Sequence, residues 1–171
     1  MRSEKCRGVL YTPERIIVEL TRNILNLINR RFILRDAEKT IGNMIDKCKV
    51  SFIGSIDDDG FPNMKAMLPP RFRDGIKTFL FSTNTSSKRV AEFRKNNKAN
   101  IYFYDGRFFR GVMLLGTMEV LEDSESKKKI WQDGDTLYYP KGVDDLDYCV
   151  LRFTAQNGRY YSNFKSENFN V

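Results

Sequence analysis

Between Phe79 and Phe93 the chain reads FLFSTNTSSKRVAEF. An apolar, strand-like run ends in hydroxyls and one amide, Ser82-Thr83-Asn84-Thr85-Ser86-Ser87, and Lys88-Arg89 then open a segment of helical period with Val90 and Phe93 apolar. Hydroxyl donors, free backbone N–H groups at a helix start and two adjacent cations favour a bound phosphate dianion, through charge-assisted hydrogen bonds and the helix dipole. Taken alone, the same residues also describe an ordinary helix N-cap followed by a solvated basic face.

Other chemistries are narrowed by composition. There is no histidine among the 171 residues, which removes Ser-His-Asp and Cys-His nucleophiles, the H-E-x-x-H zinc helix and the commonest general base near neutral pH. Cys6, Cys48 and Cys149 are far apart and form no C-x-x-C pair, so neither a disulfide framework nor a zinc site is expected, and a reducing cytosol is the natural setting. Asp57-Asp58-Asp59-Gly60 reads as a turn, with Gly60 tolerating positive φ, rather than as paired acid and base. Any catalysis is therefore expected to rely on a cofactor.

The charge is unevenly spread. The chain carries 29 basic and 22 acidic residues, yet residues 1–35 alone hold eight basic against three acidic ones. The remainder is nearly balanced, so a nucleic-acid footprint over the whole body is not expected, and association with nucleic acid or anionic membrane is left to the arm. Within it, residues 12–34 read as an amphipathic helix, Thr12 capping and Pro13 at the first helical position, that binds a membrane surface or a partner, or packs on the body or a second subunit. No apolar stretch approaches membrane-spanning length and the first residues lack a signal-peptide core, so a cytoplasmic protein is expected.

The elements that must hold the phosphate-like turn follow from periodicity. A helix is predicted over 36–46 with Ile41, Met44 and Ile45 on one side, then strands over 49–56 and 61–68 joined by the acidic turn. A turn at Arg73-Asp74-Gly75 leads to a strand over 76–81. Residues 101–104 and 111–120 supply two more strands, with Gly111 and Gly116 marking bulges or a bend. A polar helix over 124–132 precedes a final strand pair, 149–153 and 159–161, joined by Gln156-Asn157-Gly158. Short strands and tight turns imply a mainly β (α+β) fold, an antiparallel barrel with flanking helices. One domain is expected, the barrel over 36–171, preceded by a basic helical arm over 1–35.

The order of motifs resembles the FMN-binding split barrels related to pyridoxamine 5′-phosphate oxidase, and within them the general stress protein branch. The resemblance rests on V-x-F-I-G-S-I, the acidic D-G turn, G-F-P-N-M-K-A-M, F-S-T-N-T-S-S-K-R, N-x-x-A-N-I-Y-F-Y, G-x-M-E-V, and the segment from Trp131 to Asp147. It implies a six-stranded antiparallel split barrel that forms a homodimer with FMN bound non-covalently between subunits. On the family's pattern Lys65 helps hold the phosphate, Ala66 and Met67 follow where backbone meets flavin, and Ser82, Thr83, Ser87, Lys88 and Arg89 form the second phosphate element. Trp131 lies near the flavin or anchors a helix in the core. Departures argue against vitamin B6 oxidation: Pro70 stands where the oxidase has a lysine that binds pyridoxal phosphate, Gly111 where it has a flavin-contacting glutamine, and the oxidase's C-terminal arginine motif has no counterpart after Tyr161. The implied activity is transfer of hydride or electrons from reduced FMN to a small acceptor. The alternative is a carrier or sensor without turnover that binds flavin, haem or a deazaflavin.

Overall fold

In the computed structural model, which describes residues 17–22, 39–162 and 164–171, the acidic turn closes as its sequence predicts. Asp57 Oδ1 accepts the amides of Asp59 (3.1 Å) and Phe61 (2.8 Å), and Gly60 takes φ +84°. The turn joins Ser51–Ile56 (β1) to Pro62–Met67 (β2) in register, Ile53 opposite Lys65 and Ser55 opposite Asn63. Next come Phe72–Asp74 (β3), Thr78–Asn84 (β4), the helix Lys88–Lys95 (α2), Lys98–Asp105 (β5), Arg110–Leu121 (β6), the helix Ser124–Ile130 (α3), Tyr148–Ser162 (β7) and Lys165–Asn170 (β8). Before them, residues 39–45 form a helix (α1) that buries Ile41, Met44 and Ile45, as predicted. Of the predicted arm helix only residues 17–22 are described; they are helical, and the rest of that arm lies outside the described residues.

The strands form one antiparallel sheet in the order β2-β1-β5-β6-β7-β4-β3, with β8 added on β7. Its end strands, β2 and β3, are not hydrogen-bonded to each other, so the barrel is split along that seam. The fold is the expected α+β split barrel, with β3 and β8 raising the strand number to eight.

The expected turn at Gln156-Asn157-Gly158 does not form. β7 runs unbroken for 15 residues, because β6, 12 residues long, pairs with it on both sides of a register shift at Leu115/Gly116. A side chain at Gly116 would collide with the Thr154 carbonyl, so glycine permits the bulge that bends the pair. β8 then covers the far end of β7, with Phe169 opposite Gly158.

Apolar side chains on the inner faces of these strands meet in one core. Phe79 packs against Phe103 and Phe153 at ring-centroid distances of 5.7 and 6.3 Å, and Ile53, Ile101 and Leu114 are fully buried around them. Each such side chain contributes about 1.5–3 kcal/mol on leaving water. Among the described residues no helix is long and apolar enough to cross a membrane.

Candidate functional site

A groove of about 200 Å³ opens where the barrel is split. Lys65, Ala66 and Met67 of β2 line one side, and Ser82, Thr83 and Asn84 of β4 the other. β2 is a sheet edge, so Lys65 and Ala66 stay exposed. Residues directly opposite each other on paired strands share a face; Lys65, opposite the buried Ile53, therefore leaves β2 on the barrel's inner side, as does Asn63 two residues earlier.

The second element is built on α2. Ser87 caps the helix, its Oγ accepting the Val90 amide at 3.4 Å, which leaves the hydroxyl proton free to be donated. Val90 and Phe93 are buried and hold the helix against the barrel. The neighbouring turn is fixed from elsewhere: the Asp147 carboxylate accepts the Asn84 side-chain amide at 2.8 Å and the Ser86 backbone amide at 2.7 Å. The Asn84 bond, followed by those from Ser86, holds the Asp147 carboxyl below its ordinary value. Asn84 and Ser86 are thus committed to the fold, while Ser82, Thr83 and Ser87 keep donors available.

The two cationic elements are linked by a residue the sequence did not single out. Glu92, buried on α2, accepts the Ser55 hydroxyl of β1 at 2.5 Å and the Asn63 amide of β2 at 3.3 Å. Lys88 Nζ lies 3.6 Å from the same carboxylate. This carboxylate ties the first turn of α2 to the strand that carries Lys65. The signal in the sequence was the Lys88-to-Glu92 spacing of a helical ion pair; that the glutamate is buried was not visible. Beside it Arg89 is half-buried, and its Nε is buried without a hydrogen-bond partner among the described residues. Burial pulls the Arg89 pKa down, opposed by the charge of Glu92.

A third wall comes from the segment after α3. Arg71, following β2, donates to Asp135 Oδ1 at 2.8 Å, while Asp135 Oδ2 accepts the Gln132 amide at 3.0 Å. This ion pair pins the 3-10 turn Asp133–Leu137 against the groove, which Tyr138 and Tyr139 also line. Behind them, Trp131 packs on Tyr139 and, edge-on, on Tyr148 at 6.3 and 5.2 Å. Of its two predicted positions, Trp131 occupies the packed one, bracing a groove residue from behind. Burial first, and neighbouring acidic groups second, push the phenols of Tyr139 and Tyr148 up to about 12.

Of the predicted site residues Lys65, Ala66, Met67, Ser82 and Thr83 line the groove, whereas Ser87, Lys88 and Arg89 are not among its lining residues and stand at the start of the helix that Glu92 ties to β2. A buried guanidinium nitrogen without a partner, hydroxyls with free protons and cations from two elements fit a terminal phosphate. At Gly111 a Cβ would collide with the Tyr102 hydroxyl, so the phenol fills the space a longer side chain would need.

A model of the pyridoxamine 5′-phosphate oxidase family matches residues 37–162. Over 74 residues the chain is 32% identical to the pyridoxine/pyridoxamine 5′-phosphate oxidase of Rhizobium etli, a stretch that is 43% of this chain and only 35% of that enzyme. The structure is similar to that of a protein related to general stress protein 26, of the pyridoxinephosphate oxidase family, from Clostridium acetobutylicum: 40% identity, TM-score 0.71, covering 82% of this chain and 95% of that one. A haem-binding protein of Mycobacterium smegmatis shares the fold at 15% identity and TM-score 0.61, covering 74% of this chain and 55% of that one. With the family pattern running through nearly the whole barrel, the chain belongs to the pyridoxamine 5′-phosphate oxidase family and is similar within it to the general stress protein branch.

Proposed function

We propose that this protein is an FMN-binding flavoprotein and an oxidoreductase, acting as a homodimer. The observation that carries the reading is the groove at the split of the barrel, lined by Lys65, Ser82 and Thr83, with the α2 helix that bears Lys88 and Arg89 tied to the Lys65 strand through Glu92 and Asn63. Lys65, Lys88 and Arg89, with the hydroxyls of Ser82, Thr83 and Ser87, would hold the phosphate, and the backbone of Ala66 and Met67 would meet the ring. When bound, FMN supplies hydride or electron transfer to a small acceptor. The chain's own part is to bind, orient and shield: Tyr139, with its pKa at about 12, stays protonated and neutral as a wall of the groove.

Two features favour a dimer. A groove of about 200 Å³ is smaller than the roughly 300–1,000 Å³ that encloses a drug-sized ligand, so one chain offers part of a flavin site. The sheet's outer face carries Ala66, Phe52, Tyr102 and Met113 in one row and Met64, Gly54, Asn100 and Leu115 in the next, apolar but for Asn100 and the Tyr102 hydroxyl, and Met64 and Leu115 are exposed. An apolar outer face of this kind is characteristic of an interface.

The absorbance spectrum of the purified protein, followed by mass identification of what heat releases, tests the cofactor. Visible flavin bands and released FMN are expected; a colourless protein that takes up no added FMN would sink the reading. A carrier or sensor without turnover is the second reading, favoured by Pro70 and by the Tyr102 hydroxyl in the space beside Gly111. Steady-state NAD(P)H oxidation with quinone, nitro and flavin acceptors separates the two, since a pure binder gives none. Haem held by histidine is excluded, because the chain has no histidine.

A further inference from the structure

A second cleft, of about 370 Å³, lies between the end of α1 and the β5–β6 hairpin and shares no lining residue with the groove at the split. Lys47, Lys49, Arg107 and Arg110 line it against a single carboxylate, Asp105. That carboxylate is committed to the hairpin: it accepts the Arg107 amide at 3.1 Å and Arg110 NH2 at 2.6 Å. Among the described residues Lys47, Lys49 and Arg107 have no carboxylate within ion-pair distance. The Nε of Arg110 is buried and has no hydrogen-bond partner among the described residues.

The hairpin adds an aromatic surface. Phe108 is 61% exposed, with the Arg110 guanidinium 4.7 Å from its ring centroid. Phe109, beside it, takes φ +49°, a conformation that strains a bulky side chain. Its ring packs edge-on against Tyr104 and Tyr161 at 5.9 and 6.1 Å. Two adjacent phenylalanines on a strained, exposed turn are not what folding alone selects, since a hairpin tip is normally polar.

Cations without a carboxylate partner draw an anion, and three such side chains among the described residues suit a phosphate dianion over a single carboxylate. An exposed ring already stacked with a guanidinium suits a second planar group. At about 370 Å³ the cleft sits at the small end of ligand pockets. We propose that it is a second ligand site, taking a phosphorylated aromatic heterocycle of mononucleotide size, with the phosphate on Lys47, Lys49, Arg107 and Arg110 and the ring on Phe108.

The test is calorimetric titration of the full chain with 5′-AMP, alongside adenosine and inorganic phosphate, on protein saturated with FMN and on the Lys88→Ala variant. The second protein makes the result independent of flavin binding. One equivalent of AMP per chain is expected, bound at least tenfold more tightly than either adenosine or phosphate, and equally by both proteins. Lys49→Gln/Arg107→Gln and, separately, Phe108→Ala should each weaken AMP at least tenfold while leaving FMN retention and the melting temperature unchanged; all three side chains are exposed. The proposal is overturned if AMP does not bind, if it displaces FMN, if Lys88→Ala abolishes its binding, if phosphate alone binds as well, or if these variants bind it normally.

Discussion

Lys88 is 79% exposed along its side chain, yet its ammonium sits 3.6 Å from a carboxylate that is 7% exposed. A flexible surface lysine is thereby held near one place at little cost to the fold, which suits a ligand cation better than a structural one. Charge-assisted hydrogen bonds are worth about 1.5–3 kcal/mol, so Lys88→Ala and Lys65→Ala should each weaken FMN about ten- to a hundredfold, read by flavin fluorescence quenching, with the melting temperature unchanged. Glu92 differs because it is buried and serves the fold. Glu92→Ala leaves the buried Ser55 hydroxyl without its acceptor and Asn63 with Asp57 alone, and should destabilise the protein by about 1–3 kcal/mol in urea unfolding, besides weakening FMN. Equal stability of the two variants Lys88→Ala and Glu92→Ala would contradict this division of roles.

At the level of elements, the groove is held by two segments that come from beyond the strands themselves. The turn between β4 and α2 is clamped by Asp147, whose carboxyl is held below its ordinary value by Asn84 and Ser86. A depressed folded-state pKa means that the unfolded chain binds the proton more tightly. The stabilisation is therefore present above the unfolded value of about 3.9 and is lost as pH falls through the folded one. Acid release of FMN is expected to set in below about pH 4, and Asp147→Asn should flatten that part of the profile. The wall formed by residues 131–139 depends on Arg71 and Asp135, with side chains 17% and 4% exposed. Removing one partner of a buried pair costs about 3 kcal/mol, so Asp135→Ala should lower the calorimetric melting temperature by roughly 6–12 °C. Tyr139 and Tyr148 work in the opposite pH direction. Their pKa values, raised to about 12, give stability that is full below the unfolded value of about 10 and lost as pH rises through the folded one. Unfolding in mild denaturant should therefore become easier between about pH 10 and 12, and replacing both by phenylalanine should blunt the effect.

For the whole molecule, the sheet's outer face is the unfinished surface. Met64 and Leu115 are 64% and 38% exposed, Leu115 on a strand whose other face buries Val112 and Leu114, whereas a half-solvated antiparallel sheet would alternate apolar with polar. Light scattering at micromolar concentration should give twice the chain mass, and Leu115→Lys should yield monomers that have also lost FMN. A monomeric protein that keeps its flavin would show that one chain suffices.

Much of this was legible locally. The turn at residues 57–60, the helix with Ile41, Met44 and Ile45 on one side, and the cap with its two cations at 87–89 depend on neighbours within a few residues, where hydrogen bonding and side-chain period leave few choices. The unbroken course of β7 was not legible. Gln156-Asn157-Gly158 has the composition of a turn, and only the length of β6, the bulge at Gly116 and the cover of β8 keep it extended. Nor were the contacts that make a site: Asn63 meets Glu92 across 29 positions and Arg71 meets Asp135 across 64. Composition and spacing established that a phosphate had suitable donors and that histidine chemistry was absent. That Lys88 and the strand carrying Lys65 are tied through one carboxylate followed from the pairing of β1 with β2 and the position of Glu92 on α2, because a buried carboxylate must find its donors wherever the fold brings them.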